Sequence, residues 1–564
     1  MCIKGAVAQL CYSPFEELKK KMELHILSWY NLLHGGRGKM KKVNKLLLTL
    51  VCIVFISILG YEYSLSYNFR TQPPSQEWAK GTQISKGSVK NYPKLVKLGG
   101  NYIVVHDDGD KIKALIVDNL GKVLKEKTYP AGDNLILNLN MLNDGENVYI
   151  NWITINKGTK YLNNIKLNKD IELQDKWTIE GVNESVQLDD VTMAVLLKDK
   201  IEVYNIKDDT KVYKDVVSPT LLAGSKTNRG YIITYWEDQQ AFKYFFVKDG
   251  IASSAVTAVD VTVSRNVTFT KATVECDDKT GYMIIESKTS DEYGIPKFIT
   301  FDLDKGNGKS NRLKIDYYGD FAYNPVGVSS GDEGARFLIS YERYYGLRDI
   351  QNDIIDITYK DGEMVKRSYL TNAGNPMMYP GIYGNTALYC EYIGDKNLNV
   401  YMTSTEEAFK AKHNDIRGYE KKKAAADTIL GTANTFVGVL TVGIRWIVVA
   451  AVLISLLGLF SYKLKDKSTK VSFSIIYFIV TILKLLVIYD MFYKAPMYNL
   501  PWFYSTTTMG LLFCIGISIL CFLYGYTRYI VKRGSGSYPH VMSLVIALTM
   551  DSIITQLLFI PFMP

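Results

Sequence analysis

The chain has 564 residues, 47% hydrophobic and 22% charged, with 66 Lys and Arg against 57 Asp and Glu for a net charge of +9. Its basic residues form no single stripe and many flank apolar runs, so the surplus reads as membrane topology and no nucleic-acid partner is expected. Seven cysteines in unrelated settings exclude a disulfide framework, and the length predicts two or three domains.

Residues 1–39 form a leader with two readings. Ser13-Pro14-Phe15-Glu16 has the pattern of a capping box with proline at the first helical position. Phe15, Leu18, Met22, Ile26, Trp29 and Leu33 then recur at helical spacing, as in a helix lying on a membrane surface. The preferred reading is that Gly35-Gly36-Arg37-Gly38-Lys39 is a translated ribosome-binding site and that Met40 is the initiator. Heavy use of Lys, Asn, Ile and Tyr fits an AT-rich bacterial genome.

Residues 40–64 carry an apolar run, Leu46 to Tyr63, behind the charged start Met40-Lys41-Lys42. No small-residue cleavage site follows it, and Cys52, preceded by Val51 and followed by further apolar residues, is no lipobox cysteine. An uncleaved anchor is expected.

Residues 65–405 read as a repeat. A glycine-led turn, an apolar strand, a charged turn and a second strand recur from Gly100-Asn101-Tyr102-Ile103-Val104-Val105. The later apolar strands are Val148–Ile150, Met193–Leu196, Tyr231–Ile233, Tyr282–Ile285, Phe337–Ile339 and Ala387–Tyr389. Seven anchors roughly 40 to 53 residues apart have the period of a four-stranded propeller blade. Tight turns such as Lys248-Asp249-Gly250 and Lys360-Asp361-Gly362 suit hairpins to an outer strand. The expected fold is all-β, a seven-bladed β-propeller without Trp-Asp or kelch signatures. A pair of β-sandwiches is the alternative. The last unit lacks an outer strand after Val400-Tyr401-Met402, and residues near Gly81–Val89 could supply it. Cys276 and Cys390 fall in non-adjacent units and are expected as free buried thiols.

Residues 406–443 read as a helical stalk that holds Lys421-Lys422-Lys423 clear of the bilayer. Residues 444–564 carry four runs of bilayer-spanning length: Ile444–Tyr462, Val471–Tyr493, Thr508–Val531 and Val541–Met563. Lysine and arginine cluster at Lys39–Lys45, at Lys463, Lys465, Lys467 and Lys470, and at Arg528, Lys532 and Arg533. The Lys494–Ser505 connection is poor in charge. The positive-inside rule then gives a multi-pass plasma-membrane protein of a bacterium, with a cytoplasmic N-terminus and an extracytoplasmic propeller.

No catalytic set emerges. Gly327-Val328-Ser329-Ser330-Gly331 matches a nucleophile elbow, but that motif needs a strand-to-helix turn and a histidine, whereas another strand follows here. His106-Asp107-Asp108-Gly109-Asp110 has the residue types of a metal site without the ordered loop of a calcium hand, and reads as a hairpin turn. No cofactor is expected. Tyr341, Tyr344, Tyr345, Tyr379 and Tyr383 are candidates for an exposed aromatic surface that would stack on sugars or a protein partner, although tyrosine is also an ordinary strand residue.

Ionisable residues inside spans are expensive and therefore informative. Lys484 falls about 13 residues into its span, and Asp551 about 10 into another running the same way. At 1.5 Å per residue their depths differ by roughly 5 Å, within side-chain reach. Ser552 and Thr555 share that neighbourhood. An ion pair locking the bundle is the first reading and an ion-coupled site the second. Gly510, Cys514, Ser518, Cys521 and Gly525 form a small-residue stripe suited to close helix packing. The leading function is a non-catalytic, membrane-anchored propeller that binds a protein or envelope polymer. The alternative is a transport or signalling bundle gated by the propeller.

Overall fold

The computed structural model describes residues 37–132, 135–261, 266–289, 292–315, 322–345, 349–372, 375–394, 397–463, 465–490, 506–533 and 538–559. The surface helix read at residues 15–33 and the Lys494–Ser505 connection lie outside them. The chain forms two compact units, one of strands (Arg70–Tyr345 and Asp349–Arg417) and one of helices.

The strand unit is a seven-bladed β-propeller. Blade I is built from Lys94–Leu98, Asn101–Asp108, Lys111–Val117 and Val123–Pro130, in that order from the centre outwards. The remaining blades have inner strands Leu137–Asn143 (II), Glu184–Gln187 (III), Pro219–Thr227 (IV), Val267–Cys276 (V), Ala322–Ser329 (VI) and Met377–Tyr383 (VII). The seven sequence anchors fall on the second strand of each blade. Those strands are buried on both faces, as in Asn101–Asp108, because each blade is covered by a neighbour on either side. The fourth strands, Val123–Pro130 and Leu173–Glu180 among them, are mostly exposed.

Apolar clusters fill all seven interfaces between successive blades. Ile150 and Trp152 of blade II meet Ile103 and Val105 of blade I, and further clusters join II to III, III to IV, IV to V, V to VI and VI to VII. Leu388, Val400 and Met402 of blade VII then meet Tyr102, Val104 and Leu115 of blade I, so the ring is closed. Burying each large apolar side chain stabilises by roughly 1.5–3 kcal/mol, and each blade gains this on both faces only when both neighbours are present.

The missing outer strand of blade VII is Thr82–Gly87. It pairs antiparallel with Leu398–Ser404, Thr82 opposite Met402 and Gly87 opposite Leu398. The segments on either side are clamped together. The Ala79 amide donates to the Ser404 carbonyl at 3.1 Å, and Thr403 Oγ1 donates to the Ala79 carbonyl at 2.7 Å. The Arg417 guanidinium donates to the Gly81 carbonyl at 3.1 Å. Trp78, fully buried, anchors this segment against Leu338, Ile354 and Tyr389.

The helical unit contains α1 (Arg37–Thr71), which precedes the propeller. α3 (Gly418–Thr441), α4 (Ile444–Phe460), α5 (Asp466–Ile488), α6 (Thr507–Lys532) and α7 (Pro539–Phe559) follow it. The short helix α2 (Glu407–His413) belongs to the propeller unit. Among the described residues five helices are long and apolar enough to cross a membrane: α1, α4 with the turn after it, α5, α6 and α7. Their shared core runs from Leu47 and Val51 through Trp446, Phe473 and Tyr477 to Leu544 and Ala547. Gly510, Cys514, Ser518, Cys521 and Gly525 all lie on the buried face of α6. A Cβ on Gly525 would sit 2.5 Å from the Cβ of Ala547, so glycine permits the close approach of α6 and α7.

Candidate functional site

A repeated irregularity in the inner strands shapes the centre of the propeller. Inner strands II, IV, V, VI and VII each slip in register against their second strands. In four of them the bulge contains a non-glycine residue in the left-handed region: Asn138, Leu221, Asn324 and Tyr379, with φ of 53°, 51°, 54° and 52°. Such a backbone is uncommon outside glycine and is unfavourable for bulky Leu and Tyr. Two of the bulges turn a backbone N–H onto a carboxylate of the preceding blade. Leu222 N donates to Glu184 Oε2 at 2.8 Å, and Asn324 N donates to Glu286 Oε1 at 3.3 Å.

These strands surround a cavity of about 1300 Å³ lined by residues of all seven blades. Its walls are unusually polar for a binding cavity, with Lys94, Lys271, Glu184, Glu275 and Glu286 among them. Burial pushes Glu184 up to about 7 and Glu275 up to about 8, and raises Glu286 against the pull of Lys271. It draws Lys94 down to about 8 and lowers Lys271, with Glu286 opposing and Lys94 reinforcing the fall. Glu275 accepts from Ser330 Oγ, and Gly327 is what admits it, because a Cβ there would lie 2.1 Å from Glu275 Oε1.

Tyr92 reaches across the mouth of blade VII. Its hydroxyl donates to Asn324 Oδ1 of blade VI at 3.1 Å, and its ring meets Tyr379 edge-on, centroids 5.5 Å apart. Lys271 Nζ lies over the Tyr92 ring, 3.2 Å from its centroid.

The residues singled out from sequence fall in three places. Tyr379 and Tyr383 line the cavity, and Tyr383 donates to Asp190 Oδ2 at 3.1 Å. Tyr341 corrects the expectation of an exposed aromatic surface. It is fully buried among Tyr282, Phe337 and Ile355, because the second strand of a blade is covered on both faces. Tyr344 and Tyr345 end the same strand, and their side chains lie outside the described residues. The elbow-like segment is a strand-to-strand turn, and Ser330 there also accepts from the Cys276 amide at 2.8 Å.

The propeller's two histidines are engaged elsewhere. His106 is hydrogen-bonded to Ser85 Oγ and the Asp107 carbonyl, and His413 to the Leu120 carbonyl. Asp107 accepts from Lys90 N, Asn91 N and Asn91 Nδ2 at 2.9–3.1 Å, holding the entry to blade I. Cys276 and Cys390 are buried free thiols.

In the helical unit Lys484 and Asp551 meet. Lys484 Nζ donates to Asp551 Oδ1 at 2.6 Å, Ser518 Oγ at 2.6 Å and Thr555 Oγ1 at 3.1 Å, and Ser518 Oγ lies 3.1 Å from both Asp551 oxygens. Both charged residues are 1–2% exposed. An ammonium has three N–H groups, and three acceptors on α6 and α7 occupy them. Ser552 lies outside this cluster and accepts from Trp446 Nε1 at 3.0 Å.

Sequence reasoning missed the channel charges. A lysine or glutamate on a strand is ordinarily a solvated one, and only the ring turns the inner strands to face one another. The available signal was Lys271 and Glu275 interrupting the otherwise apolar or neutral run Val267–Cys276.

No family model matches the sequence, and no curated protein matches it. Among solved structures the chain is similar to a Synechocystis apocarotenoid oxygenase mutant, at 8% identity and a TM-score of 0.32, over 53% of this chain and 74% of that one. The β-propeller domain of the Trilobed protease from Pyrococcus furiosus, described as having an open velcro topology, gives 9% identity and a TM-score of 0.34. There the match covers 58% of this chain and 96% of that one. Two prolyl endopeptidases analysed together are represented at 13% identity and a TM-score of 0.35, over 64% of this chain and 54% of that one.

Proposed function

We propose that this chain is a membrane-anchored binding protein of the bacterial envelope, non-catalytic, whose propeller takes a ligand or a partner's side chains into its central channel. The observation that carries the reading is the cavity of about 1300 Å³ with charged side chains from several blades turned into it. The Lys484–Asp551 group satisfies its own donors and acceptors, which suits a lock between helices better than a path for ions.

Photo-crosslinking in living cells tests this reading. A crosslinker at Val326, in the channel, is expected to give a discrete adduct, and one at Leu124, on an exposed outer strand, is expected to give none. Absence of any adduct from Val326 and from Thr270 overturns it. The second reading, transport or signalling through the bundle, is favoured by one observation. The Gln556 amide is 3% exposed, and neither of its polar atoms has a partner among the described residues. Ion-dependent flux into liposomes, abolished by Asp551→Asn, would put that reading first.

A further inference from the structure

The channel's hydrogen-bond bookkeeping is lopsided. Glu184 accepts from Leu222 N, Glu286 from Asn324 N and Glu275 from Ser330 Oγ. Asp189 is paired with Lys226 at 2.9 Å, and Asp190 accepts from Tyr383. Each of these five carboxylates therefore has a donor supplied by the protein. Among the lysines, Lys226 has Asp189, and Lys160 Nζ donates to the Asn183 carbonyl at 3.0 Å. Lys94 and Lys271 differ. Among the described residues neither ammonium has an oxygen acceptor within hydrogen-bond distance. Lys271 lies over the face of Tyr92, and Glu286 and Glu184 attract it only from beyond that distance. Two half-buried ammonium groups that face the same cavity and repel each other favour an anion between them. The protein thus supplies donors to the channel's carboxylates but no close acceptor to these two lysines.

We infer that Lys94 and Lys271 form an anion-binding site in the propeller channel, which holds a carboxylate or phosphate group of the ligand. The site rests on the proposed ligand-binding role of the channel and gives it a chemical class. Lys94 opens the inner strand of blade I, and Lys271 follows the bulge of blade V. The two come from blades that are not neighbours, so an anion between them bridges the channel. An oxyanion accepts from both ammonium groups through separate oxygens, and such charge-assisted bonds are the stronger kind. Tyr92, packed against Lys271 and bonded to Asn324, fixes the height at which the second lysine is presented.

The test uses the full-length protein in detergent at constant ionic strength, with citrate and pyrophosphate as separate probes and chloride as the reference. A saturable rise in melting temperature is expected with at least one probe. Preference for citrate identifies a carboxylate site, and preference for pyrophosphate a phosphate site. Lys94→Met and Lys271→Met are each expected to weaken half-saturation at least tenfold, while Lys207→Met, which removes one exposed charge, leaves it unchanged.

Without a probe both channel variants are expected to melt no lower than the wild type, because each removes an unpartnered charge. A marked fall would mean that the lysines are structural and would overturn the inference. So would a wild type with no saturable response, or a response that survives in both variants. The crosslinked adduct at Val326 separates the two levels. An adduct that persists undiminished in the Lys94→Met, Lys271→Met double variant overturns the anion site and leaves channel binding standing. Loss of the adduct in that variant supports both.

Discussion

At the scale of single residues, the buried charges of the bundle and of the channel pose opposite problems. Lys484 has all of its donors used within a water-poor bundle, so its partners hold it in place and it in turn ties α5 to α6 and α7. Removing one partner of a buried pair typically costs about 3–5 kcal/mol, whereas replacing both with apolar residues can be nearly neutral. Lys484→Met and Asp551→Leu are each expected to lower the melting temperature in detergent, and the double variant to recover most of the loss. Losses that simply add would show that the pair contributes no coupling. The two residues could be singled out from sequence because charge is rare inside an apolar run. Lys94 and Lys271 could not, since nothing local marks a strand lysine as facing an enclosed channel.

At the scale of elements, the glycine-led anchors recover the second strand of every blade because that strand is the most apolar and is preceded by a turn. The inner strands carry a weaker signal. Their bulges place Asn138, Leu221, Asn324 and Tyr379 in a conformation that sequence preference would assign to glycine, so alternation alone misreads which face each later residue presents. Tyr341 departs from the expected exposure for a related reason: the sequence does not mark which strand of a blade carries a tyrosine, and the second strand is covered on both faces. The outer strand of blade VII is readable from the sequence because the last unit stops after Val400-Tyr401-Met402 without one. Thr82–Gly87 closes that blade and buries Ile84 against the blade VII–blade I core. A fragment spanning residues 91–417 is therefore expected to melt well below one spanning 71–417, because it exposes a strand edge and opens the ring. Equal melting temperatures would show that the clamp around Ala79 and Gly81 contributes little.

At the scale of the whole molecule, three basic segments beside the candidate spans lie at one end of the helical unit. Asp466, at the start of α5, pairs with Lys470 at 3.1 Å and with Arg533, just beyond α6, at 2.8 Å, and accepts from Tyr529 at 3.0 Å. Thr527 near the end of α6 donates to Asn44 in the first turns of α1 at 3.1 Å. The three basic segments, around Lys41, Lys465 and Lys532, therefore share an end of the bundle. Positive residues beside spans are retained on the cytoplasmic side, and a single crossing by α1 would put its basic start and the beginning of the propeller on opposite sides. This predicts a cytoplasmic basic end and an extracytoplasmic propeller. In intact cells a membrane-impermeant maleimide is expected to label Lys207→Cys in the propeller. Lys465→Cys is expected to react only after the membrane is opened. Labelling of Lys465→Cys in intact cells would invert the arrangement. The channel would then face the cytoplasm, and its ligand would have to be sought among intracellular anions instead of envelope polymers.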